Sequence, residues 1–426
     1  MSSVKHICEY GTIWNAKDFH PESTKETSDC IYLDNRSFDN LRNFVAENSD
    51  PGTEIERAFT YHRKKGKDFI RVKNYVGVIE TRAGTTIEIL PKIYTANNQI
   101  IESRKTLLSM LRTLRNSPFK TIDKAHLNST RIPILEIFIS VFIKEIELIL
   151  QKGIKHFYTQ CDENQKYLKG RLLFNQQVKF NSTRADRFFI SYDDFKANIP
   201  QNRILKSALH YLRFKSKSIK NLSKISHLLS LFEEVSLSKN IKTDLEKIDG
   251  HTRLFNYYNS ALTWARLFLE GKSFTSYKGK YLNTAILFPM EVLFESYVAE
   301  KVRSQYPDHD ISTQDRKHHL LTDLILKEKK FRIRPDLVIK NDKVLIIADT
   351  KWKMIDQNKS RKNYLISQSD MYQLYAYGKK YNSNHLILIY PECETFTEHL
   401  HFQYDDQILL KCVPWSFRLK NHLFDL

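Results

Sequence analysis

The 426-residue sequence predicts an α/β protein (α+β overall), in which an N-terminal β-rich and helical region precedes a C-terminal domain with a mixed central sheet. Two patterns lead to this fold class. β-branched runs at residues 75–80 and 86–90 flank a turn signal at residues 82–84, which is typical of a hairpin. Beyond residue 290, helical and strand patterns follow in the order α-β-β-β-α-β, which is typical of a mixed sheet flanked by helices.

Changes of pattern along the chain divide it into three predicted regions, and its length suits two or three domains. Residues 1–95 are expected to form a β-rich domain, and residues 96–270 a helical middle region. The polar stretch at residues 270–283 interrupts the helical pattern and is the predicted junction. Residues 284–426 are expected to form the C-terminal domain.

Helices of the middle region are predicted from apolar residues that recur at steps of three and four, which places them on one helix face. The predicted helices lie near residues 135–149, 204–212, 222–232 and 255–269. The most apolar run of the chain, residues 132–143, contains Glu136 and is followed at once by two charged residues. It therefore favours a buried helix over a membrane span.

The composition favours a polyanionic partner. The formal net charge is +18 and the pI about 9.4, which indicates nucleic acid first and an anionic membrane surface second. The chain has five cysteines and no C-x-x-C pair, which argues against a zinc ribbon and against a disulfide framework. Its N-terminus lacks the apolar core of a signal peptide, so we expect a cytoplasmic protein without a membrane partner.

The C-terminal domain carries the element order that predicts the mixed sheet. In chain order the predicted elements are a helix at 291–303, strands at 319–326, 331–339 and 344–352, a helix at 367–381 and a strand at 385–390.

Two of these strands bring charged residues together. Asp349 and Lys351 end an apolar strand, and they point to one face because side chains alternate along a strand. Asp336 is near the start of the adjoining strand and lies beside them if the two strands form a hairpin. Such charges are costly to bury without partners, which makes the cluster a candidate site. Taken singly, an Asp-x-Lys pair is more often a solvated ion pair worth about 0–1 kcal/mol.

The chemistry that suits this cluster is metal-assisted phosphodiester hydrolysis. Two close carboxylates raise each other's pKa, and Mg²⁺ (or Mn²⁺) removes the conflict because it binds oxygen ligands. Such an ion generates a nucleophile from water and offsets charge on the phosphate. The ammonium of Lys351 can polarise the attacking water or neutralise the negative charge that grows in the transition state. Asp336 and Asp349 are therefore the predicted metal ligands.

The segment Pro335-Asp336 followed by Asp349-Thr350-Lys351 resembles the PD-(D/E)xK nuclease motif, and the element order is similar to the restriction-endonuclease-like core of that superfamily. The resemblance implies a third carboxylate from the first core helix, for which Glu295 is the candidate metal ligand and Glu291 the fallback.

The same resemblance implies a Q-x-x-x-Y signature on the helix after the lysine. Gln373 and Tyr377 match it, and their spacing places both on one helical face. Their expected role is to position the catalytic site or the DNA backbone. Each of Glu295, Gln373 and Tyr377 could alone be an ordinary helix-surface residue, so the argument depends on the whole set occurring in order.

Most of the chain also resembles the McrC family, the nuclease subunit of modified-cytosine-specific McrBC restriction systems. The similar segments are residues 87–93 (I-E-I-L-P-K-I), 168–172 (L-K-G-R-L) and 349–353 (D-T-K-W-K). The resemblance implies DNA as substrate and a hexameric AAA+ GTPase translocase as partner. It further implies that the N-terminal part of this chain inserts into the motor's pore and stimulates its GTP hydrolysis.

Nucleotide binding by the chain itself is not expected. Residues 271–273 match the end of a phosphate-binding loop, but the first glycine of the motif would fall at Arg266.

Two rival functions remain open on the sequence. The chain could be a catalytically silent adaptor that activates a ring NTPase, although a decayed site would be expected to lose one of its charged residues. It could also be a stand-alone RecB-like repair nuclease, which the long N-terminal half without helicase or iron–sulfur motifs disfavours.

Overall fold

A computed structural model describes residues 4–20, 25–50, 52–93, 99–114, 118–121, 132–248, 255–270, 282–341, 344–404, 407–418 and 421. Contacts divide the chain into two compact units. The first, here called the composite unit, joins Met1–Arg131 to Ser273–Leu426, and the second, the middle unit, is Ile132–Lys272. The N-terminal and C-terminal regions thus share a unit. The division into three domains at residues 95 and 284 stays a prediction.

The described chain contains both helices and strands in its N-terminal, middle and C-terminal parts, in agreement with the predicted fold class. The α-helices are α1 (Asn35–Asn48), α2 (Glu54–Ala58), α3 (Gln99–Thr113), α4 (Ile134–Lys152), α5 (Phe174–Asn181), α6 (Pro200–Arg213), α7 (Ile219–Leu231), α8 (Ile241–Ile248), α9 (Asn259–Glu270), α10 (Met290–Gln305) and α11 (Gln368–Tyr381). The strands are β1 (Val4–Cys8), β2 (Thr12–Asn15), β3 (Cys30–Leu33), β4 (Phe59–Lys64), β5 (Lys67–Val72), β6 (Tyr75–Thr81), β7 (Thr86–Leu90), β8 (Phe157–Gln165), β9 (Arg171–Leu172), β10 (Phe188–Lys196), β11 (Leu282–Pro289), β12 (Asp310–Thr313), β13 (His319–Thr322), β14 (Lys329–Arg332), β15 (Leu337–Lys340), β16 (Leu345–Thr350), β17 (His385–Pro391), β18 (Leu400–Gln403) and β19 (Leu409–Trp415).

The N-terminal part of the composite unit contains two four-stranded sheets, ordered β1-β7-β6-β11 and β3-β2-β5-β4. The predicted hairpin is confirmed, since β6 and β7 pair antiparallel. Every residue of β6 is buried, and it has a partner strand on each side. One of these, β11, comes after the middle unit and pairs antiparallel with β6, so the chain returns to the sheet with which it began.

The C-terminal part forms the predicted mixed sheet, with six strands in the order β12-β15-β16-β17-β19-β18. β15 and β16 are antiparallel, whereas β16, β17 and β19 run parallel. Near-continuous apolar sequence suits the central strands because a buried strand is covered on both faces. Ile347, Leu388 and Tyr390 lie in this core together with Leu374 and Tyr377 of α11.

Two strand assignments from the sequence are wrong. The single strand predicted at residues 331–339 is divided between β14, in a separate hairpin, and β15, in the central sheet. Residues 319–326 are predicted in the central sheet, but β13 pairs only with β14 and forms a separate hairpin. The sheet position belongs to β12, which pairs antiparallel with β15. The four residues of β12 are mostly polar and half-buried, so they lack the apolar signal of a core strand. Residues 319–326 carry that signal on an exposed element instead.

The middle unit contains the predicted helices as α4, α6, α7 and α9, but it also holds a three-stranded sheet ordered β8-β10-β9. The sequence pattern indicates only helices here. β8 is a largely exposed strand with polar residues at most positions, and it gives no alternation that could identify it.

The buried acid in the apolar helix α4 is satisfied by the start of α7. The Glu136 carboxylate accepts hydrogen bonds from the Ser216 hydroxyl at 2.8 Å and from the Lys217 amide at 2.5 Å. The Asn221 side chain donates a further bond at 2.7 Å. Among the described residues, no helix has both the length and the apolar composition needed to cross a membrane.

We expect Gly77→Ala to destabilise the composite unit by roughly 3 kcal/mol or more, because steric overlap adds to an unfavourable backbone angle. Gly77 has φ +139°, and a Cβ there would lie 2.0 Å from the Ile286 carbonyl oxygen on β11. Gly84 also has positive φ, +91°, but open space around it, so Gly84→Ala should cost only roughly 1–2 kcal/mol. Urea unfolding measures the loss of stability in both variants, and equal losses for Gly77→Ala and Gly84→Ala would contradict the steric explanation.

Candidate active site

The hairpin of β15 and β16 brings the predicted acidic pair together. In its register Leu337 pairs with Ala348. Because the strands are antiparallel, Asp336, just before Leu337, and Asp349, just after Ala348, come next to each other. Asp336 is held by Thr350, whose amide and hydroxyl donate to one carboxylate oxygen at 2.8 and 2.7 Å. Lys351 Nζ lies 2.6 Å from Asp349 Oδ2. The structure therefore places Asp336, Asp349 and Lys351 in one cluster, on described residues throughout.

The charges in this cluster are shielded from water and lie close enough to shift one another's pKa. Asp349 is only 2% exposed, and burial together with the nearby Asp336 charge raises its pKa above the usual range. Burial also raises the pKa of Asp336, against which the hydrogen bonds from Thr350 act. Burial would lower the pKa of Lys351, but the Asp349 carboxylate outweighs it, and the net shift is upward. The site thus holds a charged lysine beside two carboxylates that repel each other.

Glu295 of α10 reaches the cluster through an intermediary that the sequence does not indicate. The Gln314 side-chain amide donates to Glu295 Oε1 and, at 3.0 Å, to Asp336 Oδ1. Gln314 directly follows the short strand β12 and has φ +54°, and no motif marks it. The fallback residue Glu291 points elsewhere and accepts a hydrogen bond from Asn74 at 3.2 Å.

Gln373 and Tyr377 of α11 hold the lysine from the other side. Lys351 Nζ donates to Gln373 Oε1 at 2.9 Å, and Gln373 Nε2 donates to the Tyr377 hydroxyl at 2.6 Å. The Tyr377 hydroxyl donates onward to the Arg334 carbonyl at 3.3 Å. This chain of hydrogen bonds fixes the lysine against Asp349, so the two residues of the Q-x-x-x-Y pattern act on one side chain.

The oxygen donors present suit a magnesium ion. In the described part of the chain, no group of three or more His, Cys, Asp and Glu side chains is arranged to hold a metal. Mg²⁺ does not require such a group, since it is commonly bound by one or two carboxylates and keeps several waters. Asp336 and Asp349 supply that minimum. A third ligand from Glu295 stays a prediction.

A residue from the start of the chain supports the segment that follows β16. Glu9 is 1% exposed, and its Oε1 accepts hydrogen bonds from the Trp352 indole at 2.8 Å and the Lys92 amide at 3.1 Å. Trp352 directly follows Lys351, and its ring packs edge-on against Phe294, the neighbour of Glu295. The N-terminal part of the composite unit is thereby tied to both elements that carry the candidate site. Sequence gives no signal for a contact over 343 residues.

Fold and site together define a mixed α/β protein with a buried carboxylate–lysine cluster at the end of two central strands. A family model described as the McrBC 5-methylcytosine restriction system component matches residues 70–391, which is 322 of the 426 residues. The chain belongs to this family of McrBC restriction system components, and the resemblance inferred from the sequence is confirmed.

Two solved structures are similar to the chain. One is a refined half-complex from a tetradecameric assembly of Thermococcus gammatolerans McrB AAA+ hexamers with bound McrC, which matches at 16% identity and a TM-score of 0.67 over 97% of this chain and 94% of that one. The other is the cryo-EM structure of the Thermococcus gammatolerans McrBC complex, at 16% identity and a TM-score of 0.51 over 75% and 90%. At this identity the likeness shows the fold alone. No curated protein matches the chain significantly.

We expect Glu9→Gln to remove a pH dependence of stability. Burial raises the pKa of Glu9 to about 7 from 4.5, so the folded state keeps a proton that the unfolded state releases. The resulting stabilisation is complete below the unfolded pKa and is lost as pH rises through the folded pKa. Between about pH 5 and about pH 8, the unfolding free energy of the wild type should fall relative to Glu9→Gln by on the order of 2–3 kcal/mol.

Urea unfolding across this pH range measures the difference in unfolding free energy. Glutamine is the chosen replacement because its Oε1 can still accept both hydrogen bonds. The matched control is Glu47→Gln at an exposed position, which should follow the wild type at every pH. A pH profile of Glu9→Gln parallel to that of the wild type would contradict the assignment.

Proposed function

We propose that this chain is the Mg²⁺-dependent DNA endonuclease subunit of a McrBC-like restriction complex that acts against foreign DNA. The observation that carries the proposal is the convergence of Asp336, Asp349 and Lys351, with Lys351 Nζ 2.6 Å from Asp349. Outside a reaction, two carboxylates that repel each other, one of them buried, only cost stability. In a reaction, the two carboxylates are complementary to a divalent cation, and the lysine ammonium is complementary to the negative charge of a phosphodiester.

Each residue has a distinct part in this chemistry. Asp336 and Asp349 would hold Mg²⁺ (or Mn²⁺), which supplies positive charge against the phosphate and favours ionisation of water. Lys351 places its ammonium where negative charge grows in the transition state. Gln373 fixes Lys351 at 2.9 Å, and Tyr377 in turn fixes Gln373 at 2.6 Å. Both act by positioning, since a charge aimed in advance need not reorganise during the reaction.

DNA and a motor subunit are the proposed partners. The net charge of +18 suits a polyanionic substrate. Similar chains come from complexes of McrB AAA+ hexamers with McrC, and we propose a GTPase motor of that kind for this chain. The proposed contact region is residues 1–95, and the motor rather than this chain would bind the nucleotide. The proposed location is the cytoplasm, where such a complex meets incoming DNA.

The silent adaptor is the rival that differs most in chemistry. A chain that only activates a motor has no need of an acid pair with a fixed lysine, and shielding such a set of charges from water without function is costly. DNA cleavage by the chain with its motor and GTP, with and without Mg²⁺, separates the two functions. Cleavage without any motor would instead favour the stand-alone nuclease.

We expect Asp349→Asn to lower DNA cleavage by at least about a hundredfold, because it removes a metal-binding charge while keeping the side chain's shape. Co-purification with the motor and stimulation of its GTPase should remain at the wild-type level. The matched control is Asp308→Asn at an exposed position, which should cut normally. Mg²⁺-dependent cleavage by Asp349→Asn at the wild-type rate would rule out the proposed site.

We expect Glu295→Gln to raise the Mg²⁺ concentration for half-maximal cleavage by roughly tenfold, since Glu295 either binds the ion or orients Asp336 through Gln314. The control is Glu300→Gln, an exposed acid on the same helix. Titration of cleavage with Mg²⁺ provides the comparison. An unchanged Mg²⁺ requirement would remove Glu295 from the site.

A further inference from the structure

The hairpin of β13 and β14 carries an exposed apolar tip. Leu324, Ile325 and Leu326, here called the apolar tip, are 89%, 92% and 61% exposed. Isolated apolar residues are common on protein surfaces, but a contiguous group displayed at the end of a projecting hairpin indicates an interaction site.

The tip is built by an ordered turn. Asp323 Oδ1 accepts hydrogen bonds from the amides of Ile325 and Leu326, both at 2.9 Å. The Asp323 amide donates to the Glu328 carbonyl at 2.8 Å and closes the turn. Side-chain capping of this kind fixes the local backbone. The fold therefore holds these apolar side chains outward rather than letting them pack on the domain.

The strands and flanks of the hairpin are strongly basic. Residues 316–334 contain seven Lys or Arg residues and two acidic residues, a surplus of five positive charges. We call the basic residues nearest the tip the basic stem: Arg316, Lys317, Lys327, Lys329, Lys330 and Arg332. Of these only Lys330 is half-buried, and the others are exposed. The basic side chains are complementary to the charge of a polyanion, and the apolar tip is complementary to a partner whose interior is apolar.

The base of the hairpin is continuous with the candidate active site. Gln314 lies just before the hairpin and Asp336 just after it, and the two are hydrogen-bonded at 3.0 Å. The His318 carbonyl accepts from the Ile333 amide at 3.1 Å, and the His318 ring packs on Tyr381 of α11 with centroids 4.3 Å apart. A strand of DNA whose phosphate reaches the acidic pair would therefore pass the hairpin.

We propose that this hairpin grips duplex DNA beside the scissile phosphate, with the basic stem on backbone phosphates and the apolar tip inserted in the minor groove. Leu and Ile side chains that enter the minor groove in this way unstack a base step and bend the duplex. Cations on the flanking phosphates supply the salt-dependent part of the affinity. The inference rests on the proposed nuclease function, since it assigns the hairpin's partner from its place beside that site.

The test measures DNA binding and bending by the full-length chain, without cleavage, in Ca²⁺. A duplex of about thirty base pairs with a fluorophore at each end reports affinity by anisotropy and bending by energy transfer. The tip variant is Leu324→Ser with Ile325→Ser, and the stem variant is Lys327→Gln with Lys329→Gln. The matched control is Ile219→Ser, an 86% exposed apolar residue of the middle unit. Thermal melts verify that each variant is folded.

For the tip variant we expect at least about a fivefold loss of affinity and loss of the bend, with the salt dependence unchanged. The stem variant should reduce the slope of log affinity against log salt by about two, because each of the two replaced lysines would neutralise one phosphate. Ile219→Ser should bind and bend DNA like the wild type.

Wild-type binding and bending by the tip variant would overturn the proposal. So would a tip variant that binds DNA normally but changes its oligomeric state in light scattering, because the tip would then be an interface between copies of the chain. Failure of the nuclease function gives a different result. In that case the wild type with its motor, GTP and Mg²⁺ leaves DNA uncut, whatever the hairpin variants do in Ca²⁺.

Discussion

The buried ion pair between Asp349 and Lys351 is the constraint around which the candidate site is arranged. A carboxylate that is 2% exposed is tolerated only with an opposing charge and fixed hydrogen bonds. Lys351 supplies the charge at 2.6 Å, and Gln373 of α11 holds the ammonium in place. Removing one partner of such a pair leaves the other charge uncompensated. Because Gln373 of α11 holds the lysine of this pair, the helix is part of the site and not only a cover for the sheet. In addition to burial, the second carboxylate, Asp336, adds a repulsion that raises the pKa of Asp349.

The supports of this pair come from distant parts of the chain. Glu9 precedes the whole helical middle region, yet its carboxylate accepts a hydrogen bond from the indole of Trp352, the residue next to Lys351. Lys92, in the segment I-E-I-L-P-K-I, donates its amide to the same carboxylate. The N-terminal segment that resembles the McrC family is thus part of the packing that positions the C-terminal site. A change near Glu9 can therefore reach the candidate site through its hydrogen bond to Trp352.

The sequence predicted those parts of the site that local pattern determines. Strand alternation places Asp349 and Lys351 on one face, and helical spacing places Gln373 beside Tyr377. It could not find Gln314 or Glu9, since both act through contacts that only the fold creates, over 22 and 343 residues. β8 and β12 were missed for a related reason. Their residues are polar and partly exposed, so they are held by pairing with neighbouring strands and not by an apolar face of their own.

The wrong assignment of residues 319–326 has a physical meaning of its own. Apolar side chains are expected in a core because each gains about 1.5–3 kcal/mol on leaving water, and an apolar run in a strand normally indicates such burial. Here the gain is not realised within the chain, since Leu324 and Ile325 are about nine-tenths exposed. A turn built around Asp323 keeps them there, at the end of a basic hairpin whose base adjoins the acidic pair. The free energy that these side chains would gain by burial in a core can instead be gained when a partner covers them. The wrong strand assignment at this hairpin therefore indicates a binding function.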